Sequence, residues 1–96
     1  FRNLVYRMYY NYLVEFLGVA FFVYVVLATG NPLAIGAAVA LALTLTVDIS
    51  GGHLNPAVSI MMASAGKLST SEIVPYCLAQ ILGALVAFEL YKRYKL

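Results

Sequence analysis

Charge is scarce in this chain. Six Lys and Arg and four Asp and Glu make up 10% of its 96 residues, against about 25% in soluble domains. No stretch is densely basic, so nucleic acid is not an expected partner, and the net charge of +2 says little more. The only cysteine is Cys77, so no intrachain disulfide can form, and its apolar setting suits a small packing residue. The only histidine is His53, and without a second one no metal site is expected; nor is any cofactor. The carboxylates Glu15, Asp48, Glu72 and Glu89 fall into no recognisable catalytic motif, so enzyme chemistry is not expected.

Apolar residues are abundant instead, at 64% against roughly 45–50% in soluble domains. A chain this short cannot hide that much apolar surface in its own core. The excess must face lipid, which predicts an integral, multi-pass membrane protein. The sequence opens at Phe1 rather than methionine, which points to processing, truncation or partial representation of a longer chain. Its first apolar segment is too long for the core of a signal peptide, and further apolar segments follow it.

Residues 1–11 mix Arg2 and Arg7 with Tyr6, Tyr9 and Tyr10, a composition suited to the membrane–water interface. Tyr12 to Thr29 is then apolar apart from Glu15. At 1.5 Å per residue it covers about 27 Å, close to the thickness of the hydrocarbon core. Gly30-Asn31-Pro32 reads as a tight turn. A second span covers 33–49, with Thr44 and Thr46 able to bond back to helix carbonyls. Ser50 to Ala65 breaks the pattern: two glycines and a histidine, then a helical stretch about half a bilayer long. A polar turn offers Ser69 or Ser71 as a helix cap, and a third span, 72–91, ends at the basic cluster Lys92, Arg93 and Lys95. The fold class predicted is all-α membrane: three transmembrane helices plus one re-entrant half-helix, in a single unit.

Irregular backbone cannot face lipid, because each unpaired amide there costs several kcal/mol. The segment Ser50-Gly51-Gly52-His53 is therefore expected to be buried in protein or to line a water-filled path. Its glycines allow carbonyls to approach a ligand closely. Asn55 and Pro56 start a helix in the favoured way, as N-cap and first helical residue. If that helix dips inward, its N-terminus places about half a positive charge near mid-membrane. Such a field opposes cations and tolerates neutral molecules. Asn55 adds a side-chain amide donor.

The string from Ile49 to Ser59, Ile-Ser-Gly-Gly-His-Leu-Asn-Pro-Ala-Val-Ser, resembles the first signature loop of the major intrinsic proteins, the aquaporins and aquaglyceroporins. Glu15-Phe16-Leu17-Gly18 resembles the start of that family's first span, and Pro75 to Ala84 its third. The similarity runs from about Tyr12 to Ala87. It implies an inverted-repeat fold, of which this chain carries the first repeat, with a second half-channel opposite. It implies that Asn55, Pro56 and Ala57 form the midplane tip and that Gly51, Gly52 and His53 present a ladder of carbonyls. Phe22, Val39 and Val58 would be apolar pore walls. By the same resemblance Glu15 and Gln80 brace the loop, complete channels form homotetramers, and the N-terminus is cytoplasmic. From the residues alone, Glu15 could instead reach the interface, and Gln80 could make an ordinary interhelical bond. Gly18, Gly36 and Gly83 are expected to permit close helix crossing.

Three features depart from the family pattern. Ile35 stands where water-selective members carry an aromatic filter residue, which suggests a wider or greasier filter and admits glycerol, urea or ammonia beside water. Asp48 stands at the loop mouth as a cap or a sensor, the cap being preferred. Also, Val58 follows the one Asn-Pro-Ala present, so this half holds no filter arginine. Arg2, Arg7 and Lys67 on one side balance Lys92, Arg93 and Lys95 on the other, so charge gives no orientation. The second half could be further chain or an antiparallel copy of this one. The expected function is a passive channel for water or small neutral solutes. The alternatives are a non-conducting structural or assembly protein and, less favoured, a secondary transporter.

Overall fold

A computed structural model describes residues 2–94; Phe1, Lys95 and Leu96 lie outside it, as does the side chain of Arg2. The expectation that Arg2 and Lys95 balance the two ends therefore lies outside the described residues. The described residues form helices α1 (Arg2–Thr29), α2 (Pro32–Ser50), α3 (Pro56–Ser64) and α4 (Ile73–Arg93), with a 3₁₀ turn at Thr70–Glu72 before α4. Three stretches, within α1, in α2, and from the 3₁₀ turn through α4, are long and apolar enough to cross a membrane. The protein is all-α and membrane-embedded.

Helix α1 starts ten residues before the span read from the sequence. At 1.5 Å per residue it is about 42 Å long, more than the ~30 Å hydrocarbon layer needs. The extra turns carry Arg7, Tyr6, Tyr9 and Tyr10, all exposed. The turn after α1 is also a cap. Asn31 Oδ1 accepts from the amides of Leu33 (2.9 Å) and Ala34 (3.0 Å), and Pro32 takes the first helical position.

Helix α1 lies between α2 and α4, and α3 packs on α4. Gly83 allows the α1–α4 contact, since a Cβ there would lie 2.5 Å from the Phe16 carbonyl oxygen. Gly18 does more than the helix crossing expected of it, for which a Cβ would lie 3.5 Å from Thr46 Cγ2 of α2. A Cβ at Gly18 would come within 2.7 Å of Leu54 Cδ2, so this glycine makes room for the loop. Gly36 approaches nothing within 4 Å, and the crossing expected there is absent among the described residues. The small core is Val19, Ala42 and Leu54, with Phe22, Val23 and Ala84 against it.

The chain between α2 and α4 descends and returns. The C-terminal end of α2 and the Lys67–Glu72 segment line one cavity together with Asn11. Between them, Asn55 and Pro56 share a cavity with Phe22 and Val23, midway along the apolar 12–29 stretch of α1, and with Gln80 and Ala84, about halfway along α4. The nine residues of α3, about 14 Å, thus run from mid-depth back to the side from which the loop entered.

Candidate functional site

Glu15 is fully buried, so it does not reach the interface. Its carboxylate accepts from four donors: Ser50 Oγ at 2.6 Å, the His53 amide at 3.1 Å, the Leu54 amide at 2.8 Å and Gln80 Nε2 at 2.8 Å. An ionised carboxylate is an acceptor only, with room for about four such bonds. The Gly52 amide faces Ser50 Oγ at 3.4 Å, and Tyr76 Oη donates to the Ser50 carbonyl at 2.8 Å. These bonds anchor the loop to α1, α2 and α4.

The inward amides determine where the carbonyls go. A trans peptide is planar and holds its N–H and C=O on opposite sides. With the amides of Gly52, His53 and Leu54 turned toward Ser50 and Glu15, the carbonyls of Gly51, Gly52 and His53 turn the other way. Among the described residues these three oxygens accept no hydrogen bond from the protein. The backbone needed for this is unusual: Gly51 and Gly52 have φ of 91° and 61°, and Leu54 has φ of 57°. For a leucine that conformation costs roughly 1–2 kcal/mol. Burial of its side chain against Val19 and Ala42, and its amide bond to Glu15, offset the cost.

Asn55 caps α3 through Oδ1, which accepts from the Ala57 amide at 2.8 Å. Its exposed side-chain nitrogen has no protein partner among the described residues. A groove of about 430 Å³ runs past this tip and is lined by Phe22, Val39, Leu43, Gly52, His53, Leu54, Asn55 and Val58. Of the residues singled out in the sequence, Phe22, Val39, Gly52, His53, Asn55 and Val58 meet here. Pro56 lies on the other flank of the tip, beside Gln80. Gly51 opens onto the cavity shared with Lys67 and Glu72, a vestibule of about 410 Å³. Ala57 is exposed. Ile35 sits one helical turn before Val39 and outside the residues that line the groove. Asp48 does not cap the loop: that work falls to Ser50 and Glu15, while Asp48 lines a separate cavity with Arg7 and Tyr10.

Sequence reasoning placed Ser50 and Leu54 in the loop without a role of their own, and it missed Ser59 and Tyr76 as contributors. Ser59 is fully buried and bonds both His53 Nδ1 (2.8 Å) and Gln80 Nε2 (2.9 Å). A serine four residues past the N-cap, on the face that also carries Asn55, was a usable signal for it. Nothing local marks Leu54 for positive φ, or the hydroxyl of Tyr76 for a loop contact.

The family model described as Major intrinsic protein matches residues 28–95. The glycerol uptake facilitator protein-like 6 of Lactiplantibacillus plantarum is 43% identical over 80% of this chain and 40% of its own length. Aquaporin Z of Brucella melitensis is 49% identical over 51% of this chain and 25% of its own. Aquaporin Z of Bradyrhizobium diazoefficiens is 52% identical over 44% of the chain and 18% of its own. The chain therefore spans less than half the length of these curated relatives. No solved structure gives a significant match. With a re-entrant loop braced on a buried glutamate and a family match over most of its length, the chain belongs to the major intrinsic protein family.

Proposed function

We propose that this chain is one half of a passive transmembrane channel for water or small neutral solutes such as glycerol, urea or ammonia. The observation that carries the reading is the set of free carbonyls at Gly51, Gly52 and His53, beside a groove that ends at the Asn55 tip. A neutral solute shedding its water needs acceptors for its hydroxyl or amine hydrogens and a donor for its lone pairs. The carbonyls supply the first and Asn55 the second, at the positive end of α3. Phe22, Val39 and Val58 form apolar walls that give no grip to an ion. Ile35, at the approach to the groove, leaves more width than an aromatic residue there.

The groove is open on the side away from α1, and a second half-channel closes it in this reading. That half is either further chain or an antiparallel copy. Complete channels then assemble as homotetramers with the N-terminus cytoplasmic, as the family resemblance implies. Protein reconstituted in liposomes is expected to speed their osmotic shrinkage over empty vesicles, in water or in glycerol. Rates equal to empty vesicles with both solutes would remove the channel reading for this 96-residue form and favour a non-conducting role for it. Labelling both termini from each face separates the two sources of the second half, because single-face labelling excludes the antiparallel copy.

A further inference from the structure

We infer that Gln80 and Ser59 act as positioning residues that fix the tautomer of His53, leaving its Nε2–H as the side-chain donor where the vestibule meets the groove. The inference deepens the channel reading and rests on it for its consequence, though not for its test. The argument is a proton count. Gln80 is 2% exposed, and its Nε2 lies 2.8 Å from Glu15 Oε1 and 2.9 Å from Ser59 Oγ. Turning the amide over would press Gln80 Oε1 against the Glu15 carboxylate, so the nitrogen faces both partners. Its two hydrogens are then assigned, one to Glu15 and one to Ser59.

Ser59 Oγ thus accepts from Gln80 and still has its own hydrogen to place. It is fully buried, and its other partner is His53 Nδ1 at 2.8 Å. The hydroxyl donates there, which makes Nδ1 the acceptor. A neutral imidazole has one donor and one acceptor nitrogen, so the ring hydrogen sits on Nε2. The ring is held from behind by Tyr76, with centroids 4.9 Å apart. Nε2 points toward Gly51, where even a Cβ would come within 3.0 Å of it. The absent side chain leaves that nitrogen uncovered. Among the described residues, His53 alone lines both the vestibule and the groove.

The consequence is directional. A solute passing the His53 ring meets a donor but no ring acceptor, because the one lone pair of the ring nitrogens is turned inward and occupied by Ser59. A proton arriving along a file of waters would have to enter at Nδ1, which the file does not reach. His53 in this state gives a hydrogen bond to solute oxygen and cannot relay protons.

The test is nitrogen NMR of ¹⁵N-histidine-labelled protein in membranes, with the His53 signals assigned by their loss in His53→Gln. The wild type is expected to show a bare, pyridine-type Nδ1 and a protonated Nε2, with the other tautomer at least about tenfold rarer, as expected for a buried hydroxyl whose partner would otherwise be lost. Ser59→Ala should lower that ratio by about tenfold, and Ser59→Thr, which keeps the hydroxyl, should restore it. A protonated Nδ1 in the wild type, or a ratio unmoved in Ser59→Ala, would overturn the inference. If the His53 backbone amide signal shifts in Ser59→Ala, the loop has moved, and the wild-type assignment then decides alone. The nitrogen shifts are read without transport, so a failed flux assay and a failed tautomer assignment are separate results.

Discussion

Removing the Glu15 charge while keeping its shape is the sharpest perturbation of the site. In Glu15→Gln one oxygen remains an acceptor and the other becomes an NH₂ group. Two donors then lose their acceptor and face another donor. These are either the Leu54 amide and Gln80 Nε2, or Ser50 Oγ and the His53 amide. A buried donor left unpaired costs about 1–3 kcal/mol, so two cost roughly 2–6 kcal/mol, a large share of a typical stability of about 5–15 kcal/mol. Glu15→Asp keeps the charge but withdraws it by one methylene, too far to hold all four partners within 3.1 Å. Both variants should therefore lower stability, and both should free the loop amides. Unfolding in mixed micelles measures the first, and hydrogen exchange at His53 and Leu54 the second. The expected order of amide protection is wild type, then Asp, then Gln. Protection at both amides equal to wild type in Glu15→Gln, with a stability loss below about 1 kcal/mol, would refute the bracing argument.

Three further outcomes test other parts of the site. Asn55→Asp retains the cap oxygen but replaces the free amide donor with charge at the positive end of α3; neutral-solute flux should fall and some cation leak appear in vesicles, and unchanged flux without leak would count against the donor role. Gly83→Ala places a Cβ 2.5 Å from the Phe16 carbonyl oxygen, so α1 and α4 must part, at about 1–3 kcal/mol by thermal unfolding. Tyr76→Phe and Ser50→Ala both loosen the α2–loop junction, and their double-mutant cycle should show coupling of roughly 0.5–3 kcal/mol, against strict additivity if the two bonds act independently.

The parts of this site written in local chemistry were legible. Gly51 and Gly52 announce irregular backbone, Asn55 and Pro56 announce a helix start, and the apolar runs announce spans. Each signal lies within a few residues of the structure it produces. The Ser50–Glu15 bond joins residues 35 apart in the chain, and Tyr76 reaches Ser50 across 26. No local rule gives such pairings; the family resemblance, together with the need of an intramembrane carboxylate for a partner, pointed Glu15 inward without naming Ser50. Asp48 shows the converse error. A carboxylate near a loop mouth is a plausible cap, but α2 continues to Ser50, and its helical phase turns Asp48 outward while Ser50 faces the loop. The reading of Gly18 as a helix-crossing residue was incomplete for a related reason. Its nearest neighbour is the loop side chain Leu54, ahead of Thr46 of α2 at 3.5 Å.

The division of labour within the loop has a consequence for selectivity. The carbonyls that face the groove are placed from behind, by Glu15, Ser50 and the planarity of the peptide, and no groove-lining side chain holds them. In the proposed channel Val39 and Val58 can therefore change size without a direct push on the acceptor ladder, whereas Phe22 packs against the cluster that holds Leu54 and Leu43 lies beside Gly52. Width and greasiness of the path are set by one group of residues and hydrogen bonding by another. His53 is the exception, since its carbonyl belongs to the ladder and its ring to the wall. In the proposed channel a substitution there would alter both at once, whereas one at Val39 would alter the width of the groove alone.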